Sequence, residues 1–446
     1  MHILNLTHLF HPAHGGTEMA LLELSREMVK RGHRVTVLTS NQLALEDFQH
    51  PQFHPSLPEE ETREGIRIIR VRLPPFQRTL LAKLGALCWR SRLPSGDTLW
   101  YRTQLPHLPQ MIRRARKLNP DILYAVPFPT ATPYYAWQTA RQLGCPWVIQ
   151  PHIHEAQMNE SLLKILKWIF PQASAVLTNT EPEKKFLVSQ GIDPTKIHIF
   201  GQGLSATALI PGDGQAFRRR QGWTDEPLIV FLGRKVEGKG IETLLSVMPR
   251  VWAETPRAVF LLAGQSSPYF KDLMDRLPVG QDARLRSLDN FPEQEKNDLL
   301  AAGDLLALPS EVESFGVVFL EAWAQKKPVI GANIPSVASM VEEGKDGTLV
   351  PYDDPPALAQ AILDLLNNPD RRRQMGEAGW AKVRERFEVG KVAEKMEALF
   401  LELIGHSRQQ LFGGCDGEKD GRGEMEEKKN QRPYRCAIFD VPQAFM

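Results

Sequence analysis

The sequence predicts an α/β protein made of two doubly wound, Rossmann-like domains. Three observations carry this. Short apolar runs alternate with amphipathic stretches along most of the chain, the pattern of parallel sheets with right-handed helical crossovers. The alternation pauses over 201–222, a Pro- and Gly-bearing stretch, and begins again at Leu228. The chain has 446 residues, more than one hydrophobic core usually holds.

Taken in order, the first half predicts strands over 2–8, 34–39, 66–71, 121–126, 147–150, 175–178 and 197–200. A helix is expected over 17–31, with Met19, Leu22, Leu24, Met28 and Val29 near one face. The second half predicts strands over 228–232, 258–262, 283–288, 305–308, 329–330 and 348–350. Helices are expected over 356–366 and 371–387, and a further amphipathic helix over 391–404. Beyond it, 406–433 is rich in Gly, Glu, Lys and Arg and too poor in apolar residues to order itself. The expected division is 1–205 and 206–387 for the two domains, 388–404 for a closing helix and 405–446 for a disordered tail.

Composition narrows the function classes. A hydrophobic content of 42% with 24% charged residues is that of a globular protein. A net charge of +1 argues against a general nucleic-acid binder. The four cysteines, Cys88, Cys145, Cys415 and Cys436, are scattered with no Cys-x-x-Cys, so neither a zinc site nor a disulfide framework is expected. The N-terminus lacks the basic and long apolar regions of a signal peptide, and no apolar run reaches 18 residues. A cytoplasmic location follows as the expectation.

The chemistry-bearing segments each follow a predicted strand, where open parallel sheets bind ligands. Glu313-Ser-Phe-Gly-Val-Val-Phe-Leu-Glu321 places two carboxylates around a turn and a helix start. Ser314 is a candidate N-cap, and Gly316 would let a ligand come close to the first helical N–H groups, an anion site. Two acceptors beside a phosphate cradle suit a ligand with hydroxyls on both sides of a phosphate, such as a nucleotide-sugar. The alternative is an ordinary helix start with two solvated glutamates. Upstream, Gly233-Arg234-Lys-Val-Glu-Gly-Lys239-Gly240 sets two cations across a glycine turn, where they could meet one diphosphate from two sides. Gly15-Gly16-Thr17-Glu18 opens the first helix, and its backbone N–H groups could serve the opposite wall of the cleft or simply punctuate the chain. His152 ends a strand at a Pro-flanked turn, with His154 close by. No Asp-x-Asp is placed after a strand as a metal ligand, so no metal site is expected.

These pieces together resemble the retaining family-4 glycosyltransferases of GT-B fold. The matching segments are Gly15-Gly16-Thr17-Glu18, Pro146-Trp-Val-Ile-Gln-Pro-His152, Gly233-Arg234 through Lys239-Gly240, the Glu313 to Glu321 spacing, and Gly344-Lys-Asp-Gly-Thr-Leu-Val350, covering about residues 1 to 404. The resemblance implies that the last helix packs back on the first domain. It gives Glu313 to the hydroxyls of a donor sugar, Glu321 to the ribose, the Phe315-Gly316 backbone to the β-phosphate and His152 to the sugar from the opposing domain. It also implies metal-independent, front-face transfer to an acceptor hydroxyl, with Arg234 and Lys239 stabilising the leaving diphosphate. The nucleotide-sugar is then a co-substrate, and no other cofactor is expected. The acceptor is a sugar, a lipid-linked or a small molecule. One segment departs from the family: Gly201-Gln-Gly-Leu-Ser205 stands where Asn-Gly-Val-Asp is common.

Two further readings are open. A dinucleotide-dependent oxidoreductase would need a Gly-x-Gly-x-x-Gly at the first helix, which is missing. A catalytically idle scaffold of the same fold would not need intact Arg234, Lys239, Glu313 and Glu321. Finally, 63–117 carries 13 Lys or Arg against Glu64 and Asp97, interleaved with leucines and tryptophans. That composition suits either an anionic membrane surface, making the protein peripheral at the inner face of the membrane, or a solvated insertion, or a polyanionic acceptor.

Overall fold

The structure is a computed structural model that describes residues 1–13, 15–43, 46–48, 57–73, 108–153, 155, 158–276, 282–292 and 295–412. The first sheet contains β1 (His2–Leu6), β2 (Arg34–Ser40), β3 (Glu60–Arg63), β4 (Ile66–Val71), β5 (Ile122–Ala125), β6 (Trp147–Ile149), β7 (Ala175–Thr178) and β8 (Ile197–Ile199). Its spatial order is β3-β4-β2-β1-β5-β6-β7-β8. The second contains β9 (Leu228–Leu232), β10 (Val259–Ala263), β11 (Leu285–Leu288), β12 (Leu305–Leu308), β13 (Val329–Ala332) and β14 (Gly347–Val350), ordered β11-β10-β9-β12-β13-β14. All pairings are parallel except β3 with β4.

Helices cover both faces of each sheet, which is why the central strands read as unbroken apolar runs. Every residue of β1, β9, β10 and β12 is buried. Side chains alternate between the two faces: Leu4 and Leu6 of β1 enter one core cluster and Ile3 the other. The second domain has its own core, centred on Phe231, Phe260, Phe319 and Trp323.

The order of strands fixes where ligands can sit. In the first sheet the winding reverses at β1, flanked by β2 and β5; in the second it reverses at β9, flanked by β10 and β12. The crevice lies beyond the carboxyl ends of strands at such a reversal. The turn opening the first helix follows β1, Gly233-Arg234 follows β9, and Glu313–Gly316 follows β12.

Several boundaries differ from expectation. β3 was not expected; it is a charged edge strand joined to β4 by a turn with Glu64 and Gly65 at positive φ. The stretch expected to connect the domains contains a helix, Gly214–Gln221, capped by Asp213 accepting from Ala216 N. The final helix runs Val389–Phe412, past the expected end at Ile404. It packs Ala393, Met396, Leu399 and Phe400 on the first domain's core, and Glu397 bonds Arg31 at 2.8 Å and His33 at 2.6 Å. The remainder of the predicted tail, 413–446, lies outside the described residues.

Part of the basic segment is ion-paired. Arg67 pairs with Glu60 at 2.7 Å, Arg72 with Glu59 at 2.9 Å, and the buried Arg70 with Glu61 at 2.5 Å. The arginines of β4 are therefore neutralised by the edge that precedes them. Residues 74–107 lie outside the described residues. The described remainder of positive charge is the Gln110–Leu118 helix with Arg113, Arg114, Arg116 and Lys117.

Candidate functional site

The β9 turn brings two cations to the cleft and sends a third inward. Arg234 is exposed, and among the described residues its guanidinium makes no ion pair. Lys235 turns into the domain instead: it is fully buried, 2.6 Å from Ser287 Oγ and 2.9 Å from Asp289, with its ammonium over the Phe270 ring. Burial lowers its pKa against the pull of Asp289. Gly240 has φ 71°, and a Cβ there would stand 2.1 Å from Pro309 O, so only glycine lets this turn close against β12. That closure brings Lys239 to the second motif. Lys239 Nζ lies 2.6 Å from Glu313 Oε1 and 3.4 Å from Val312 O. The predicted diphosphate cation and the predicted sugar acceptor thus form one ion pair.

The following helix spans Val317–Ala324, and its N-cap is Gly316 at φ 81°, with no side-chain cap. Ser314 is therefore not the N-cap, which corrects the expectation. The left-handed backbone needed to turn from β12 into the helix moves the cap to the glycine. The result leaves the first N–H groups of the helix without a side-chain acceptor, which favours an external anion. Glu321 lies one turn inside and is held by Lys296 at 2.7 Å. Phe315 is buried; its ring packs edge-on against Phe387 and lies over Gly201 of the interdomain connection.

On the opposite wall, Gly15 is the extended N-cap of the Gly16–Lys30 helix. A Cβ at Gly15 would meet Glu18 Oε2 at 2.1 Å, so the Glu18 carboxyl folds back to the helix mouth, while Gly16 faces open space. Burial raises the Glu18 pKa, and Arg234 of the other domain pulls it down. Glu23 is instead engaged by Arg26.

His152 sits on a left-handed backbone, φ 56°, and is buried. Its Nδ1 meets Asn179 Nδ2 at 2.9 Å and Gln202 Nε2 at 3.2 Å. Glu183 pins this loop by accepting from Ile153 N at 2.8 Å and Asn179 N at 2.7 Å. Burial pushes the Glu183 carboxyl up to about 7 in spite of those two donors. Asn179, Glu183, Gln202 and Lys296 escaped sequence reasoning. A polar residue directly after β7 was the available signal for Asn179; Lys296 has none, since only folding brings it to Glu321. His154 lies outside the described residues. Among the described residues no group of three His, Cys, Asp or Glu converges as a metal site.

Two facing Rossmann-like domains, with paired charges and a helix mouth at the second reversal point, define the GT-B class. The chain belongs to the group 1 glycosyltransferases of that fold. Residues 213–381 match the family described as glycosyl transferases group 1, and 15–203 match the glycosyl transferase 4-like domain. The D-inositol 3-phosphate glycosyltransferase of Corynebacterium efficiens is 29% identical over 262 residues, covering 56% of this chain and 60% of that protein. The chain thus spans about three fifths of that relative's length. The alpha-D-kanosaminyltransferase of Streptomyces kanamyceticus is 25% identical, covering 61% and 75%. Among solved structures, sucrose-phosphate synthase from Thermosynechococcus elongatus matches with a TM-score of 0.72 at 21% identity, covering 91% of this chain and 99% of that one. Anabaena HepE in complex with UDP-glucose matches at 0.70 and 18% identity, covering 90% and 100%. At these identities the structural likeness establishes the fold.

Proposed function

We propose that the protein is a retaining, metal-independent glycosyltransferase that moves a sugar from a nucleotide-diphosphate-sugar to an acceptor hydroxyl. The observation that supports this reading is the Lys239–Glu313 pair, which ties the loop after β9, where Arg234 lies, to the loop after β12, which leads into the Val317–Ala324 helix mouth. Such a site offers two cations and backbone donors to a diphosphate and carboxylate acceptors to hydroxyls beside it.

In the proposed reaction the diphosphate lies against the helix mouth, and Arg234 and Lys239 stabilise the charge that grows on it as the glycosidic bond breaks. Glu313 holds sugar hydroxyls, Glu321 the ribose, and His152 the sugar from the first domain. The acceptor hydroxyl attacks from the face the diphosphate leaves, and the departing phosphate takes the proton. No side chain serves as a nucleophile. Metal independence is supported by the donor set, in which cations stand where a divalent ion would otherwise neutralise phosphate.

Relatives whose names specify inositol 3-phosphate or phosphatidylinositol monomannoside as acceptor suggest a polyol or lipid-linked acceptor. The Gln110–Leu118 helix would be the face that approaches an anionic membrane in the last case. The test is a thermal-shift screen against UDP-, GDP- and dTDP-sugars, followed by transfer assays with the best donor in excess chelator. Donor-dependent stabilisation with chelator-resistant transfer is expected. Activity abolished by chelator and restored by manganese or magnesium would overturn metal independence. Nucleotide binding with no turnover for any acceptor would favour an idle protein.

A further inference from the structure

The side chain of His152 ends a buried polar chain whose polarity is set at the other end by a main-chain carbonyl. Gln150 Nε2 lies 3.4 Å from Gly201 O and 2.8 Å from Asn179 Oδ1. A carbonyl only accepts, so the Gln150 group facing Gly201 is its NH2. Its oxygen then faces the Tyr124 hydroxyl, which donates to it. Because Asn179 accepts on Oδ1, it can offer only Nδ2 to the ring, and Nδ2 donates to His152 Nδ1. A second amide, Gln202 Nε2, donates to the same nitrogen. Its Oε1 is left buried with no hydrogen-bond partner among the described residues. Gln150, His152, Asn179 and Gln202 are all at least nine-tenths buried, so water does not compete freely for these bonds.

We propose that Gln202 and Asn179 are positioning residues that hold His152 as the neutral tautomer protonated on Nε2, so that it meets the donor sugar as a hydrogen-bond donor. The proposal rests on the reading of His152 as a sugar contact. Two donors converging on Nδ1 leave that nitrogen no room for a proton, and the proton must reside on Nε2. The arrangement also ties the histidine to the site on the other domain. Gly201 and Gln202 both belong to the connection between domains, and the ring of Phe315 packs on Gly201, its Cζ 3.2 Å from where a Cβ would be. Phe315 immediately precedes the helix cap that would receive the phosphate. The segment between the domains therefore touches the phosphate loop on one side and fixes the imidazole on the other.

The test uses full-length protein labelled with ¹⁵N-histidine. Long-range proton–nitrogen spectra distinguish an Nε2–H imidazole from the Nδ1–H form and from imidazolium, and His152→Ala identifies the signal. Wild-type His152 is expected to be Nε2-protonated. Gln202→Glu sets a carboxylate against Nδ1 and should bring a proton to that nitrogen; Asn179→Asp does the same should the first variant fold poorly. With the best donor, Gln202→Glu should lower kcat about tenfold or more, as expected for an imidazole offering the wrong group. KM for the donor should change little, and the variant should lose nothing further in a His152→Ala background. Gln202→Asn, which keeps an amide donor, should recover most of the rate. A wild-type signal with the proton on Nδ1, or unchanged nitrogen shifts in both carboxylate variants, overturns the proposal. Equal losses with and without His152 overturn it as well. Full transfer by His152→Ala, alongside the expected spectra, would instead remove His152 from the sugar site and leave the tautomer assignment standing.

Discussion

Removing Lys239 should do more than delete a cation, because the structure places its ammonium 2.6 Å from Glu313 Oε1. The two side chains are only 23% and 12% exposed, between a surface pair and a buried one. Exposed pairs contribute about 0–1 kcal/mol, whereas breaking a buried pair costs about 3–5 kcal/mol. A loss of roughly 1–3 kcal/mol of stability is therefore expected for Lys239→Ala, with the fold intact. For transfer, losing a preorganised donor to developing phosphate charge typically costs about 10²–10³ in rate. Glu313→Ala should cost a similar factor, since it removes the sugar's acceptor and unties the lysine. If the pair works as one unit, the double variant should also fall by roughly 10²–10³, well short of the product of the two losses. The assay is kcat/KM for transfer in all four proteins, with denaturant melts to correct for unfolded fractions. Losses that multiply would refute the paired site. Near-wild-type transfer by Lys239→Ala would refute the diphosphate assignment itself.

Arg234→Ala should lower turnover by roughly 10²–10³ yet leave the melting curve unchanged, because the exposed guanidinium supports nothing in the fold; a stability loss with normal turnover would reverse that assignment. Glu183 gives a pH signature: its folded pKa, about 7, is raised above the ordinary value of 4.5 by burial, so the native state binds more protons across that window. Stability from this group is full below about 4.5 and is lost as pH rises through about 7, so the stability of wild type relative to Glu183→Gln should decline over that range in denaturant titrations; a constant difference would show that Glu183 ionises normally. Anionic liposomes should retain the protein at low salt and release it at high salt, with screening beyond about 10 Å at 0.1 M, and neutralising Arg113, Arg114, Arg116 and Lys117 together should abolish retention without altering nucleotide affinity; a protein that ignores such liposomes has a soluble acceptor.

The sheets were legible because buried parallel strands must be apolar on both faces. The 228–232 and 305–308 runs coincide with β9 and β12, and most other strands differ by a residue or two at their ends. β3 escaped because Glu60-Glu-Thr-Arg63 has no apolar face; its stability comes from ion pairs to β4 and from a Glu-Gly turn, a signal the sequence did contain. The Gly214–Gln221 helix was hidden behind three consecutive arginines, with Phe217 as its buried apolar anchor. In the site, Arg234, Lys239, Glu313 and Glu321 stand out because each lies in a short motif after a strand. The partners that tie those groups down do not. Lys296 reaches Glu321, and Gln202 reaches His152, only through the tertiary fold, and no local pattern encodes such a meeting. Ser314 shows the reverse error: a good capping residue was passed over because the backbone needed glycine's left-handed conformation two residues later.

The return of the last helix to the first domain makes the chain cross between domains twice, and the two crossings are bonded to each other: Leu204 N donates to Phe387 O at 2.6 Å and Val389 N to Leu204 O at 2.9 Å. Topologically, the second domain is an insertion within the first. Residues 1–205 alone would leave Leu21, Leu24 and Tyr124 without the cover of Met396 and Phe400, so the first domain is not an independent folding unit and cutting the chain at the apparent boundary should yield an aggregating fragment. A single crossing would permit swivelling about the chain. Two crossings laced side by side act as a leaf hinge, which resists twist and leaves bending as the soft motion, and bending is the movement that opens and shuts the cleft.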